Sequence, residues 1–320
     1  MKTRFIIFVV TFLMFSSCRK EKEIEADIST IETAVRVERF DLKFNNSSIA
    51  ELDGLKQEYP FMFSSQFTNE DYAARLTDSL QIELRGEVKR IFSEFTETDD
   101  IEMLYKHLKF YFKTFRDPRL IAVTSDVDYR NKIIVTDTIV LIALDNYLGE
   151  DHEFYSGIPN YIRKNLRREM MVSDLAQAYG DKILSRPDSR TFLNHLIYQG
   201  KLLYLKDLII PFVDDDLKIG YSPDQLEWAK ANESNIWSYF VEKELLYDTD
   251  PKLISRFINP APFSKFNLEL DRESPGMLGR YIGWQIVRSY MANNEKSLQE
   301  LLSTDAEEIF NNARFKPRKE

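Results

Sequence analysis

Apolar residues recur at three- and four-residue steps between positions 99 and 115, at Ile101, Leu104, Tyr105, Leu108, Phe112 and Phe115, behind the acidic pair Asp99/Asp100. This spacing predicts a capped helix with one buried face. His107 falls off the stripe and reads as a solvated helix residue. The pattern then changes. Positions 120–123, 132–135 and 138–144 are short β-branched runs separated by polar turns such as Ser125-Asp126-Val127-Asp128, which predicts a small sheet in the middle of the chain. Upstream, Val35 to Phe40 alternates as a strand does, positions 47–59 read as a helix stopped by Pro60, and positions 69–95 read as one or two helices.

Downstream the pattern is helical. Ser222-Pro223-Asp224-Gln225 is a capping box with proline in the first turn, and Asp250-Pro251 and Ser274-Pro275 repeat the cap-plus-proline device, which predicts three helix starts. Over positions 191–207 a helical wheel puts Phe192, Leu196, Gly200 and Leu203 at the centre of the buried arc, with His195 and Gln199 together at its border. Gly276, Gly279 and Gly283 fall three and four residues apart, leaving a strip of helix without side chains where another helix packs closely. No repeat, low-complexity stretch or proline- or glycine-rich linker divides the chain after position 33. The expected fold is therefore α+β and predominantly helical: a single compact domain over 34–320 with a small central sheet.

The N-terminus has another character. Lys2 and Arg4 precede an apolar run from Phe5 to Phe15, broken only by Thr11, and then the small residues Ser16 and Ser17. Eleven residues rise about 16 Å as a helix, roughly half a bilayer core, so the run reads as a signal peptide, 1–17, rather than a span. The only cysteine, Cys18, follows at once, which rules out an internal disulfide and a cysteine-based zinc site. Phe15-Ser16-Ser17-Cys18 resembles the lipobox of bacterial lipoproteins, with Phe15 in place of the commoner leucine. That resemblance implies a covalent lipid on Cys18, with acyl chains of the palmitate kind. Two or three such chains anchor a protein stably where one gives only transient binding. Positions 18–33, beginning Arg19-Lys20-Glu21-Lys22-Glu23, read as a charged tether, and Arg19 rather than aspartate after the cysteine points to the outer membrane, with its periplasmic or surface face left open. The chain has 52 acidic against 43 basic residues. With no basic excess to release counterions, phosphate-backbone binding is disfavoured and nucleic acid is not an expected partner.

No local motif nominates an enzyme. A helix-borne zinc site needs two histidines one turn apart with a glutamate beside the first. His152-Glu153 reaches Ser156 where the second histidine belongs, and His195 is followed by Leu196 and, four residues on, Gln199. The triplet Asp214-Asp215-Asp216 lacks calcium-loop spacing and reads as a solvated acidic turn. Neither a glycine-flanked serine elbow nor a phosphate-binding loop is present. The three tryptophans, Trp228, Trp237 and Trp284, all lie in the helical C-terminal part, and large aromatics are mostly core.

Several strings together resemble the GldB family of gliding motility lipoproteins of Bacteroidota. They are Cys18; Arg39-Phe40-Asp41; Leu144-Asp145-Asn146-Tyr147-Leu148-Gly149 with Pro159-Asn160-Tyr161-Ile162; Ile197 to Tyr204; Gly220-Tyr221; Asn232 to Trp237; and Ser274-Pro275-Gly276 through Gly283-Trp284 to Met291. The resemblance implies a non-enzymatic cell-envelope component of gliding, linked to type IX secretion, whose partners are other gliding or secretion proteins and, through its anchor, the membrane. It carries no catalytic, metal-ligating or cofactor-binding residues. The C-terminal half is also similar to predicted zinc peptidases in which a histidine-glutamate helix is followed by a Glu-Gly segment and a Pro-Gly-containing helix. Gln199-Gly200 stands where Glu-Gly would be, and the upstream helix at 168–178 has no histidine, so the implied frame is a degenerate zincin-like one. A zincin-like hydrolase with an unrecognised site is the alternative reading.

Overall fold

The computed structural model describes residues 25–187, 189–266 and 269–319, so Cys18, the signal segment 1–17 and the start of the tether lie outside the described residues. The chain runs β1 (Val37–Arg39), α1 (Phe40–Asn45), α2 (Leu52–Glu58), α3 (Asn69–Thr77), α4 (Ser79–Ile91), α5 (Thr98–Tyr111), β2 (Arg119–Val123), β3 (Ile133–Val135), β4 (Ile139–Ala143) and α6 (Asn160–Arg163). The second half is helical: α7 (Met171–Ile183), α8 (Phe192–Ile209), α9 (Asp215–Ile219), α10 (Pro223–Ala231), α11 (Glu233–Glu242), α12 (Lys252–Phe257), α13 (Leu278–Asn293), α14 (Leu298–Ser303) and α15 (Ala306–Ala313). Short 3-10 turns join several of them. Among the described residues no helix is long and apolar enough to cross a membrane.

All three β-branched runs form strands, and β1 joins them in one sheet of order β1-β2-β4-β3. β1 and β2 pair in parallel with Val37 opposite Leu120, β2 and β4 in parallel with Leu120 opposite Val140, and β3 and β4 antiparallel with Ile133 opposite Ile142. The continuous apolar run of β2 follows from being covered on both faces. Its alternation divides two cores: Leu120 and Ala122, with Val140 and Ile142, face the large helical core, whereas Ile121 and Val123, with Ala143, face Phe40, Leu55 and Tyr59. The result is one α+β domain, predominantly helical, as the patterning predicts.

The large core is centred on α8, against which α13, α7 and α15 pack. Two glycines set how closely α8 and α13 approach. A Cβ on Gly200 would lie 2.2 Å from the Gly283 carbonyl oxygen, and one on Gly283 would lie 1.9 Å from the Leu196 carbonyl oxygen. Backbone cannot yield as a side-chain tip can, so only glycine fits at either place. The predicted close helix contact is therefore found, with one correction: α13 begins at Leu278, so Gly276 precedes it. Ser274 does not cap this helix. Its hydroxyl donates to the Ser264 and Asp271 carbonyls, and Ser264 Oγ instead accepts from the Leu278 amide, after Met277 has turned through the left-handed region at φ 61°. Ser222 does cap α10 through a capping box, and the Asp250 carboxylate accepts from the Lys252 amide at the start of α12.

Three further expectations change. His107 is buried, its Nδ1 bonded to the Leu208 carbonyl at 2.8 Å and its ring against Phe212, because α5 is covered on that side by the end of α8. The N-cap of α5 is Glu97, not the Asp99/Asp100 pair, which sits inside the first turn. The end of the expected solvated tether is docked: Ile28 is buried, and Lys109 Nζ donates to the Glu32 carbonyl and to Asp117.

Candidate functional site

The polar residues that interrupt the apolar stripes of α8 and α13 converge into two neighbouring groups. The first is built on Asp207 and Arg288. Arg288 grips Asp207 with Nε to Oδ2 and Nη2 to Oδ1, both at 2.7 Å, and its other edge reaches both oxygens of Asp215 at 2.9 Å. Trp284 Nε1 donates to Asp207 Oδ2 at 2.8 Å, and its ring lies under the guanidinium at 3.7 Å. Lys218 Nζ joins both carboxylates at 3.2 and 3.3 Å. Burial alone would raise the Asp215 carboxyl and lower Arg288, but the paired hydrogen bonds prevail and shift both the other way, as charge-assisted forks do. Asp215 is thus not part of a solvated acidic turn: α9 starts there and presents it to Arg288.

The second group lines a cavity of about 340 Å³ between α7, α8, the start of α13, the loop carrying Tyr129 and the short α6 carrying Tyr161. Ser173 and Gln177, one turn apart on α7, face it together with Gln199 of α8, Lys206 of α8 and Arg280 of α13. Its apolar wall includes Ile162, Leu203, Ile219 and Met277. Lys206 is nearly fully buried. It donates to the Lys218 carbonyl at 2.8 Å and to Ser173 Oγ at 3.2 Å, while Ser173 in turn donates to the Leu217 carbonyl. Burial without a carboxylate partner lowers its ammonium to about 7. Arg280 is part-buried and spends Nε on the Ile258 carbonyl at 2.7 Å. Among the described residues its two terminal nitrogens have no partner, and burial lowers its pKa. Asp174, the one acidic residue lining the cavity, is taken by Lys132 and by the Tyr147 hydroxyl, which donates to it at 3.0 Å.

Gln199 faces this cavity; its neighbour one turn back, His195, does not line it. His152 is held by Glu87 at 3.1 Å, and His107 by Leu208, so these two histidines are engaged at separate places. Among the described residues no group of three or more histidine, cysteine, aspartate or glutamate side chains is placed to hold a metal ion. Ser173 and Gln177, one turn apart on α7, and Gln199 of α8 are the neutral polar side chains that the cavity brings together. A hydroxyl and two neutral amides are poor zinc ligands, and the adjacent cations Lys206 and Arg280 repel a dication, so these residues do not fit zinc.

Sequence reasoning missed Lys206 and Arg280. The readable signal was Lys206-Asp207 embedded in the otherwise apolar string from Leu202 to Ile210, since a charged pair inside a buried helix needs dedicated partners. The strings singled out in the sequence meet here. Tyr147 holds Asp174, Tyr161 and Ile162 wall the cavity, Tyr221 donates to the Gly276 carbonyl at 2.6 Å below it, and Trp284 supports Asp207.

A family model described as gliding motility protein GldB matches residues 21–317, nearly the whole chain, and the chain belongs to that family. No curated protein and no solved structure matches it significantly.

Proposed function

We propose that this member of the gliding motility protein GldB family serves gliding as a lipid-anchored, non-enzymatic envelope protein, fixed to the outer membrane through Cys18 and working by binding other proteins of the gliding and type IX secretion machinery. The observation that carries the non-enzymatic part is the side-chain set of the cavity. Its neutral polar side chains are Ser173, Gln177 and Gln199, a hydroxyl and two amides rather than the imidazoles and carboxylate a hydrolytic metal needs, and the cations Lys206 and Arg280 stand beside them. The anchor is supported by the cysteine at the end of the N-terminal apolar run and by a body in which no described helix could span a bilayer.

In-cell crosslinking followed by capture of the chain from solubilised membranes tests the binding role. Gliding or secretion proteins should be recovered, and recovery of none of them contradicts it. For the anchor, Cys18→Ala should move the chain out of the membrane fraction. Unchanged retention contradicts the lipid.

A further inference from the structure

We infer that the cavity between α7, α8 and α13 is a binding site for a small organic acid: one carboxylate or similar oxyanion on a short, otherwise uncharged apolar body. The inference goes beyond the anchoring and partner reading and stands or falls separately from it.

The charge balance of the cavity carries the argument. Five basic side chains line it: Arg130, Lys132, Lys206, Lys218 and Arg280. Lys132 is neutralised by Asp174, and Lys218 by Asp207 and Asp215. Among the described residues Arg130, Lys206 and Arg280 are left without an ion pair, in a protein whose overall charge is −9; Asp181 acts on Lys206 and Arg280 only through space, its carboxylate accepting from Gln177. A buried lysine and a part-buried arginine without an ion-pair partner impose a desolvation cost on the fold, and an incoming anion recovers it. Arg280 offers the planar pair of N–H groups that suits a two-oxygen acceptor, and its Nε bond to Ile258 fixes the plane. An ammonium has three donor protons, of which Lys206 commits two to Ser173 and Lys218.

The rest of the cavity sets the class of ligand. Ile162, Leu203, Ile219 and Met277 suit a short apolar body, and the free amide of Gln199 suits a neutral polar group on it. At about 340 Å³ the space is at the small end of ligand pockets. Met277 contributes a second, independent sign. It lines the cavity with a left-handed backbone, φ 61°, that a side-chain-bearing residue adopts only at a cost of about 1–3 kcal/mol, and such outliers gather at binding sites.

Isothermal titration of the full lipidated chain in nonionic detergent tests the assignment, with N-acetyl-leucine as the probe acid, N-acetyl-leucinamide as its uncharged twin, and inorganic phosphate. The acid should give saturable heat, the amide none, and phosphate weaker binding than the acid. Arg280→Gln should weaken the acid by about tenfold or more, the worth of one charge-assisted fork. Gln199→Glu, which alters a side chain without a hydrogen-bond partner among the described residues, should do the same by repulsion. It decides alone if circular dichroism shows Arg280→Gln misfolded. No saturable heat with the acid, equal binding of acid and amide, or undiminished binding in a folded variant overturns the site. Phosphate binding as tightly as the acid overturns the organic-acid assignment.

Discussion

Helices α8 and α13, with the short α9 against them, carry two groups of cations that solve opposite problems. Around Asp207, every charge has its opposite: Arg288 and Lys218 share two carboxylates, and Trp284 supplies a further donor. One residue earlier on α8 and two turns earlier on α13, Lys206 and Arg280 face a cavity with no carboxylate of their own. The first group is closed and explains itself as structure, fastening α9 and α13 to α8. The second leaves donors open to a cavity, which structure alone does not require. Identical chemistry on one helix pair thus separates into a fastening and a recess, and the difference lies in where the acids were placed.

The largest effect should come from removing the frame common to both. Gly283→Ala drives a Cβ into the Leu196 carbonyl, and chemical denaturation should show a loss of at least about 3 kcal/mol, with both groups lost together. Next, Asp207→Ala strips Arg288, Lys218 and Trp284 of a partner at once. Its part-exposed setting reduces the full cost of breaking a buried pair, and about 2–3 kcal/mol is expected by the same assay.

A smaller effect separates the groups by pH. Burial holds Lys206 near 7, so from the usual lysine value down to about 7 the unfolded chain takes up a proton that the folded chain refuses. Stability should therefore fall as the pH drops through that window and level off below it. Lys206→Met should remove a slope of up to about 1.4 kcal/mol per pH unit, read as the difference between the two proteins' stability profiles. The smallest effect should belong to Arg280→Gln, which gives up one hydrogen bond to a carbonyl and relieves an unmatched charge. Less than about 1 kcal/mol is expected, well below Asp207→Ala. A cost equal to that of Asp207→Ala would mean that Arg280 is as structural as Arg288.

Much of the frame was readable because it rests on local rules. β-branched runs marked three strands and alternation the fourth, Ser222 and Asp250 marked helix starts, and the spacing of Gly279 and Gly283 announced a close approach that is found against Leu196. What failed depended on partners outside the local segment. His107 looked solvated because its cover, Leu208 and Phe212, lies a hundred residues away. Ser274 looked like a cap, but Ser264 on another loop takes that role and Met277 interposes a left-handed turn. Asp215 looked like one of three solvated acids until α13 brought Arg288 to it. The cavity was legible only in part. Gln199 stands where a ligand was expected, but the cations that decide the cavity's chemistry, Lys206 and Arg280, come from two helices far apart in the chain and share no spacing.

The central claim is that the recess accepts an oxyanion and has no use for a metal ion. Calorimetric titration of one preparation with N-acetyl-leucine and, separately, with zinc tests it most directly. Saturable heat with the acid and none with zinc is the predicted result; one tightly held zinc per chain, released by Gln199→Ala, with no response to the acid, would contradict it.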